Sequence, residues 1–228
     1  MSHGGFYIPR LLKYLPQDLD GKKILDAGSG RGEVGYYIQA FVDRPACDLH
    51  GHPTIIGVDI HKPSVDFIRE YLHPQIYEEI YYLDLTGEKT PGPEKFFKGR
   101  HFDIALLLEV PEHIEKNKML KVLGEIEELA DYILIATPLG DELNQDFGDK
   151  IPEFNHVSVW FPEDFKQRGY TVSVEEVTPR VGSRFVNLII KMYRLLLGLK
   201  PPQMKIIAIR NKNKVKISKG LKFGGLCG

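Results

Sequence analysis

The chain has 228 residues, 43% of them apolar, and a formal net charge of -1, which fits one ordinary core across residues 1–228 and excludes a globally basic nucleic-acid binder. Its two cysteines, Cys47 and Cys227, exclude a disulfide scaffold and a four-cysteine zinc module, and they fit a reducing, cytoplasmic setting. Met1 to Arg10 holds no long apolar run, and no apolar stretch reaches the roughly 18 to 20 residues of a spanning helix, so a soluble protein is expected, with peripheral membrane contact left open.

Lys22 to Ala27 reads as a short buried strand running into Gly28-Ser29-Gly30-Arg31-Gly32, after which Val34, Tyr37, Ile38 and Phe41 recur at helical spacing. A long connection, Val42 to Pro53, precedes a second strand from Thr54 to Ile60 that carries Asp59 at its end. A helix from Pro63 to Leu72 follows, with Ser64 near its start. Further strands are predicted at Ile80 to Leu85, Phe102 to Leu108 and Tyr132 to Ala136, the last stopped by Pro138. Met119, Leu120, Leu123, Ile126 and Leu129 mark an amphipathic helix from Asn117 to Ala130. Phe161 to Gly169 reads as a helix, Thr171 to Val177 as the sixth strand and Met204 to Ile209 as the seventh. Strands apolar on both faces, alternating with helices, predict a doubly wound α/β fold. The expectation is a mostly parallel, seven-stranded sheet with helices on both faces and a helical insertion, residues 180–202, between the last two strands.

Within that insertion, Phe185 to Leu199 has too many large apolar side chains for an exposed helix, yet Lys191, Arg194 and its length forbid spanning a bilayer. It would cap the chain's own core or a twin subunit in a homodimer, cover an apolar acceptor, or lie on lipid. From Met204 onward Lys205, Arg210, Lys212, Lys214, Lys216, Lys219 and Lys222 occur without Asp or Glu, which reads as a cationic C-terminal tail, with residues 210–228 as its main part. Such a tail is a solvated terminus, or else a guide for anionic lipid or RNA. Phe223 is its single aromatic residue, so no base-stacking platform accompanies it.

In an open α/β sheet, ligands sit beyond the carboxyl ends of the strands where the winding direction switches, which directs attention to the first strand-to-helix turn. Gly28, Gly30 and Gly32 permit backbone conformations and a close approach that a Cβ would block, and the N–H groups of a helix start suit an anion. A dinucleotide site calls for G-x-G-x-x-G, whereas position 33 is Glu33, whose charge would repel a pyrophosphate. The spacing is G-x-G-x-G instead. Asp59 can accept hydrogen bonds from both hydroxyls of a ribose, so the turn and the acid together point to a nucleoside ligand.

ILDAGSGRGEVGYYI, GVDI, LDL at Leu83 to Leu85 and FDIALLLEVPEHI occur in that order between Lys22 and Pro138. This set resembles the class I, Rossmann-like S-adenosylmethionine-dependent methyltransferases, nearest in motifs to the quinone-biosynthesis O-methyltransferase-like branch. The resemblance implies S-adenosylmethionine as cofactor. Gly28, Ser29, Gly30 and Gly32 would approach its methionine part, and Asp26 would help to hold the amino group. Asp59 would bind the ribose, Ile60 would pack on adenine, Asp84 or the Leu85 amide would meet the adenine edge, and Glu109 would lie beside the cofactor.

Glu109-Val-Pro-Glu112-His113 directly follows the fourth strand, and His156 lies in a loop after the fifth that also faces the site in this fold. Carboxylates and imidazoles serve as general bases toward a hydroxyl or as ligands of a divalent ion. Glu112, His113 and His156 are therefore the catalytic candidates, and the same three with Glu109 are the metal candidates. Alternatively, Glu112 and His113 only cap the following helix. The E-x-x-E-H pattern with a later histidine also resembles RNA 3′-end 2′-O-methyltransferases, which bind a divalent metal, but most of that branch's further histidines near His156 are missing. Cys47, His50 and His52 make an incomplete metal set. The expected function is methyl transfer to an oxygen, or a nitrogen, of a small or lipid-linked acceptor. Its rivals are an RNA methyltransferase, a catalytically silent cofactor-binding partner subunit and a nicotinamide oxidoreductase.

Overall fold

Seven strands form a single sheet in the computed structural model, which describes residues 8–44, 48–140, 151–176, 204–214 and 217. They are β1 (Lys23–Ala27), β2 (Thr54–Asp59), β3 (Glu79–Tyr82), β4 (Phe102–Leu108), β5 (Ala130–Pro138), β6 (Thr171–Glu176) and β7 (Met204–Asn211). Their order is β3-β2-β1-β4-β5-β7-β6, parallel from β3 through β5, with β7 antiparallel to both β5 and β6. The sheet is thus mostly parallel, as its apolar strands predict, and the reversal is confined to the C-terminal pair.

Successive residues of the central strands feed opposite cores, which is why these segments are apolar without alternation. Ile24, Ile104, Leu106 and Tyr132 meet Leu11 of α1 (Ile8–Leu11), Ile38 of α2 (Glu33–Phe41) and Ile68 of α3 (Lys62–Tyr71). Leu25, Ala105, Leu107 and Ile133 face the other way, toward Phe97 just after α4 (Pro93–Phe96), Leu123 and Ile126 of α5 (Lys116–Leu129), and Phe165 of α6 (Pro162–Lys166). Each fully buried Leu or Ile contributes roughly 1.5–3 kcal/mol relative to exposure, so the sheet is clamped from both sides.

Several boundaries differ from expectation for local reasons. β3 stops at Tyr82 because Asp84 folds the chain back on itself, its carboxylate accepting the N–H groups of Thr86 and Lys89 at 2.9 Å each. β5 is longer than its apolar stretch because β7 pairs along it from Tyr132 to Pro138. α6 ends early, and Gly169 then takes a positive φ of 83° before β6.

The connection after α2 is built into the fold where it is described. Leu49 is fully buried, the Leu19 N–H donates to His50 O at 2.8 Å, and the His50 N–H donates to Gln17 O at 3.0 Å. Its Cys47 lies outside the described residues, as do Phe185 to Leu199 and the tail from residue 218 onward. Two members of the cationic run belong to the sheet instead of the tail. Lys205 is buried on β7, and Arg210 pairs with Glu127 at 2.7 Å. Among the described residues no helix is long and apolar enough to cross a membrane.

Gly57, in the middle of β2, leaves room for the fully buried Tyr77. A Cβ there would lie 2.7 Å from Ile80 Cδ1 and 2.9 Å from the Tyr77 ring. Gly57→Ala is expected to cost about 1–3 kcal/mol by overpacking. Urea unfolding of the two proteins measures this.

Candidate active site

The winding of the sheet reverses between β1 and β4, so the exits of these neighbouring strands flank the crevice where α/β folds bind ligands. The turn after β1 holds three left-handed glycines, Gly28, Gly30 and Gly32, at φ 85°, 54° and 83°. Two are also sterically required, because a Cβ on Gly28 would fall 2.3 Å from Val110 Cγ2 and one on Gly32 would fall 2.5 Å from Leu72 Cδ1. Gly30 is different. A Cβ there would meet nothing within 4 Å, so this part of the turn faces open space.

The acid at the end of β2 points at that turn. Asp59 Oδ2 accepts the Gly30 N–H at 2.8 Å, and Oδ1 accepts the His61 N–H at 2.7 Å. Behind it, the N–H groups of Gly28 and Ser29 both donate to Val58 O, at 2.8 and 3.0 Å. Burial raises the Asp59 pKa, and the bonds from His61 and Gly30 oppose that rise. The Ser29 hydroxyl is buried beside the turn without a hydrogen-bond partner among the described residues.

Asp26 sits behind the turn and accepts a 2.5 Å bond from the Tyr77 hydroxyl, which itself accepts the Gly35 N–H at 3.1 Å. Burial pushes Asp26 up to about 7, with Tyr77 opposing and Asp59 adding to the rise. Tyr77 carries no sequence signal of this role, since it lies in the connection between α3 and β3 outside any motif. Asp84 spends its carboxylate on Thr86 and Lys89 of its own loop. Leu85, the other adenine-edge candidate, is buried beside it. Ile60 is half-buried just past Asp59.

Beyond β4, Glu109 adopts a left-handed φ of 60°, costly for a residue with a Cβ, while its N–H donates to Ala136 O at 2.8 Å. Its carboxylate is ion-paired with Lys205. Oε1 is buried without a hydrogen-bond partner among the described residues. Burial, reinforced by Glu112, pushes the Glu109 pKa up to about 7 against the pull of Lys205. Lys205, read from the sequence as part of a tail, is thus the buried partner of a candidate site residue.

Glu112 and His113 occupy a 3-10 turn, Pro111–His113. The Glu112 side chain is 2% exposed and accepts the Thr137 hydroxyl at 2.9 Å. Its carbonyl accepts the N–H groups of Val157 and Ser158 at 2.8 and 3.2 Å, while the Ser158 hydroxyl donates to Pro111 O at 2.8 Å. The segment carrying His156 is thereby sewn to the 3-10 turn. His113 Nδ1 lies 3.1 Å from Asn155 O. A carbonyl can only accept, so Nδ1 carries the proton and Nε2 presents its lone pair. Burial pulls the His113 pKa below its ordinary 6.5.

Glu112, His113 and His156 each offer a ligand atom within 4.8 Å of the others, and the two imidazole centroids are 4.9 Å apart. Glu109 lies outside this group. The helix-capping alternative does not match the geometry: the N-cap of α5 is Glu115, which makes no side-chain capping bond. His50 and His52 are exposed and belong to no such group among the described residues.

No protein-family profile and no curated protein matches the chain. Solved structures do. A SAM-dependent methyltransferase from Archaeoglobus fulgidus is 19% identical, with 89% of this chain and 92% of that one covered and a TM-score of 0.54. Magnesium protoporphyrin IX methyltransferase from Synechocystis PCC 6803, solved with bound SAH, is 16% identical over 85% of this chain and 75% of its own, with a TM-score of 0.51. A SAM-dependent methyltransferase from Leishmania major reaches a TM-score of 0.59 at 12% identity, covering 92% and 74%. At such identities the likeness establishes the fold.

The raised Asp26 pKa has a thermodynamic consequence. Its folded value of about 7 stands above the 3.8 of an unstructured carboxyl, so the native state retains a proton that the unfolded chain releases, and stability falls as pH rises through that window. Between about pH 5 and 8 the wild type is expected to lose roughly 2–3 kcal/mol more than Asp26→Asn. Urea titrations of both proteins at the two pH values check the difference.

Proposed function

We propose that this chain is a class I S-adenosylmethionine-dependent methyltransferase that methylates an oxygen, in preference to a nitrogen, of a small or lipid-linked acceptor. One observation carries the proposal. The Asp59 carboxylate meets the glycine turn at Gly30, 2.8 Å away, and that turn leaves β1 beside the β4 exit that bears Glu112 and His113. The fold shared with solved methyltransferases agrees with it.

The residues present fit the cofactor. Each Asp59 oxygen has used one lone pair on an N–H, leaving acceptor capacity for the hydroxyls of a ribose. Ile60 and Leu85 would flank the adenine. The open side of Gly30 and the buried Ser29 hydroxyl would receive the methionine end. When bound, S-adenosylmethionine supplies a methyl group on a sulfonium, already a good leaving group. The chain then has to align the acceptor, exclude water and manage one proton. His113, neutral at pH 7 because burial lowers its pKa, would take that proton on Nε2. Glu112, anchored by Thr137, would stabilise the charge that His113 gains.

The grouping within 4.8 Å favours a second role for the same side chains, in which Glu112, His113 and His156 would hold a divalent ion that lowers the pKa of the acceptor hydroxyl. An RNA acceptor finds less support. Lys205 and Arg210 are taken up by ion pairs with Glu109 and Glu127, which weakens the cationic run as an electrostatic guide.

Isothermal titration with S-adenosylhomocysteine tests the core proposal. Wild type is expected to bind it and to ignore NAD, and Asp59→Ala to bind at least about tenfold more weakly, a loss of about 1.4 kcal/mol. A wild type that takes up NAD and no S-adenosylhomocysteine would refute the assignment. With an acceptor in hand, His113→Ala is expected to keep cofactor affinity and lose about 10²–10⁴-fold in kcat. Dialysis against EDTA separates the two roles of the cluster: unchanged turnover supports the base, and a loss restored by Mn²⁺ supports the ion.

A further inference from the structure

Residues 151–156, which include a 3-10 turn at Pro152–Phe154, make contacts on both flanks of the glycine turn. Beyond β4, His113 Nδ1–H donates to Asn155 O at 3.1 Å, and the His156 ring lies 4.9 Å from that of His113. Beyond β2, the Phe154 ring lies 5.0 Å from His61, the second residue after Asp59. Beyond β3, the Glu153 carboxylate lies 3.6 Å from the Lys89 ammonium. In the sheet β1 lies between β2 and β4, so a segment touching the exits of both must pass above the exit of β1, residues 28–32. It bridges that space without filling it, since a Cβ on Gly30 would meet no atom within 4 Å. The gap has Asp59 and the glycine turn as its floor and His61 and Phe154 on the side of the β2 exit. The two rings are tilted by 55°, and His61 is oriented by a 2.9 Å contact between its Nδ1 and the Ser64 hydroxyl.

We propose that Phe154 and His61 form an aromatic wall against the nucleoside of the cofactor, and that this contact tightens the lightly held end of the strap that carries His156 beside His113. The inference rests on the S-adenosylmethionine assignment made above. A purine offers a π-face to both rings, whereas the flexible methionine end does not, which places the wall at the nucleoside. Asn155 and His156 directly follow Phe154, so a ligand that holds Phe154 also restrains the two residues that meet His113. Coupling of this kind is reciprocal: whatever fixes the 155–156 end of the strap should tighten the cofactor.

The test is titration of S-adenosylhomocysteine into wild type, Phe154→Ala, Phe154→Leu and Asp59→Ala, with ligand-free melting curves as a folding control. Histidine ring-proton NMR spectra are recorded with and without the ligand. Phe154→Ala is expected to weaken binding about tenfold, and Phe154→Leu, which keeps an apolar body but no π-face, by nearly as much, both with wild-type melting. Saturating ligand is expected to shift the His156 ring resonances in wild type and to leave them in place in Phe154→Ala. Undiminished affinity in both Phe154 variants, alongside the loss in Asp59→Ala, overturns the wall while leaving the cofactor assignment standing. A wild type that binds no S-adenosylhomocysteine overturns the assignment itself and the wall with it.

Discussion

The Asp59 carboxylate spans two backbone N–H groups, that of Gly30 at 2.8 Å and that of His61 at 2.7 Å, and these bonds fix the spacing between the turn after β1 and the start of α3. Hydrogen bonds from N–H groups to an ionised oxygen are worth roughly 1.5–3 kcal/mol each, enough to keep a strand-terminal acid facing inward despite its burial. The rest of the turn is arranged around them. Val58 O gathers the N–H groups of Gly28 and Ser29, and Gly32 N–H closes back on Ser29 O at 2.8 Å. Along that path Gly28, Gly30 and Gly32 take left-handed backbone, which glycine adopts without the cost of a Cβ.

One strand away the problem is electrostatic. Glu109 and Glu112 are brought together at the end of β4, with two imidazoles nearby, and a cation is needed to hold such a pair in a dry site. It comes from β7. Because that strand inserts antiparallel between β5 and β6, Lys205, near its start, lies opposite Pro138 and reaches Glu109. The reversal at the C-terminal edge thus supplies a charge that the parallel strands do not. The left-handed backbone of Glu109 is the local cost of turning its carboxylate toward Lys205.

These two regions share little covalent chain, and the strap at 151–156 connects them across the top of the sheet. It is anchored firmly at one end, where Glu112 O takes two N–H groups and the Trp160 indole N–H donates to the Ser158 hydroxyl at 2.9 Å. At the other end it rests on a ring contact and a partly exposed ion pair, interactions worth about 1 kcal/mol or less apiece. A segment fixed at one end and lightly held at the other is able to respond to what lies beneath it.

The sequence by itself determined the strand and helix pattern, the site of the glycine turn and the acid that would face it. Each of these is written locally: an apolar run long enough to be buried on both faces, glycines where a Cβ cannot fit, a carboxylate at a strand end. What only the tertiary structure decided is who meets whom. Tyr77 and Asp26 are 51 residues apart, Lys205 and Glu109 are 96 apart, and His113 and Asn155 are 42 apart. The bonds that Asp84 accepts from Thr86 and Lys89 of its own loop, and the burial of Lys205, placed in a tail by its charge, are likewise set by the fold. Periodicity specifies which face of an element is covered and carries no record of the partner that covers it. Those pairings follow from the strand order, which emerges only when the whole sheet is assembled.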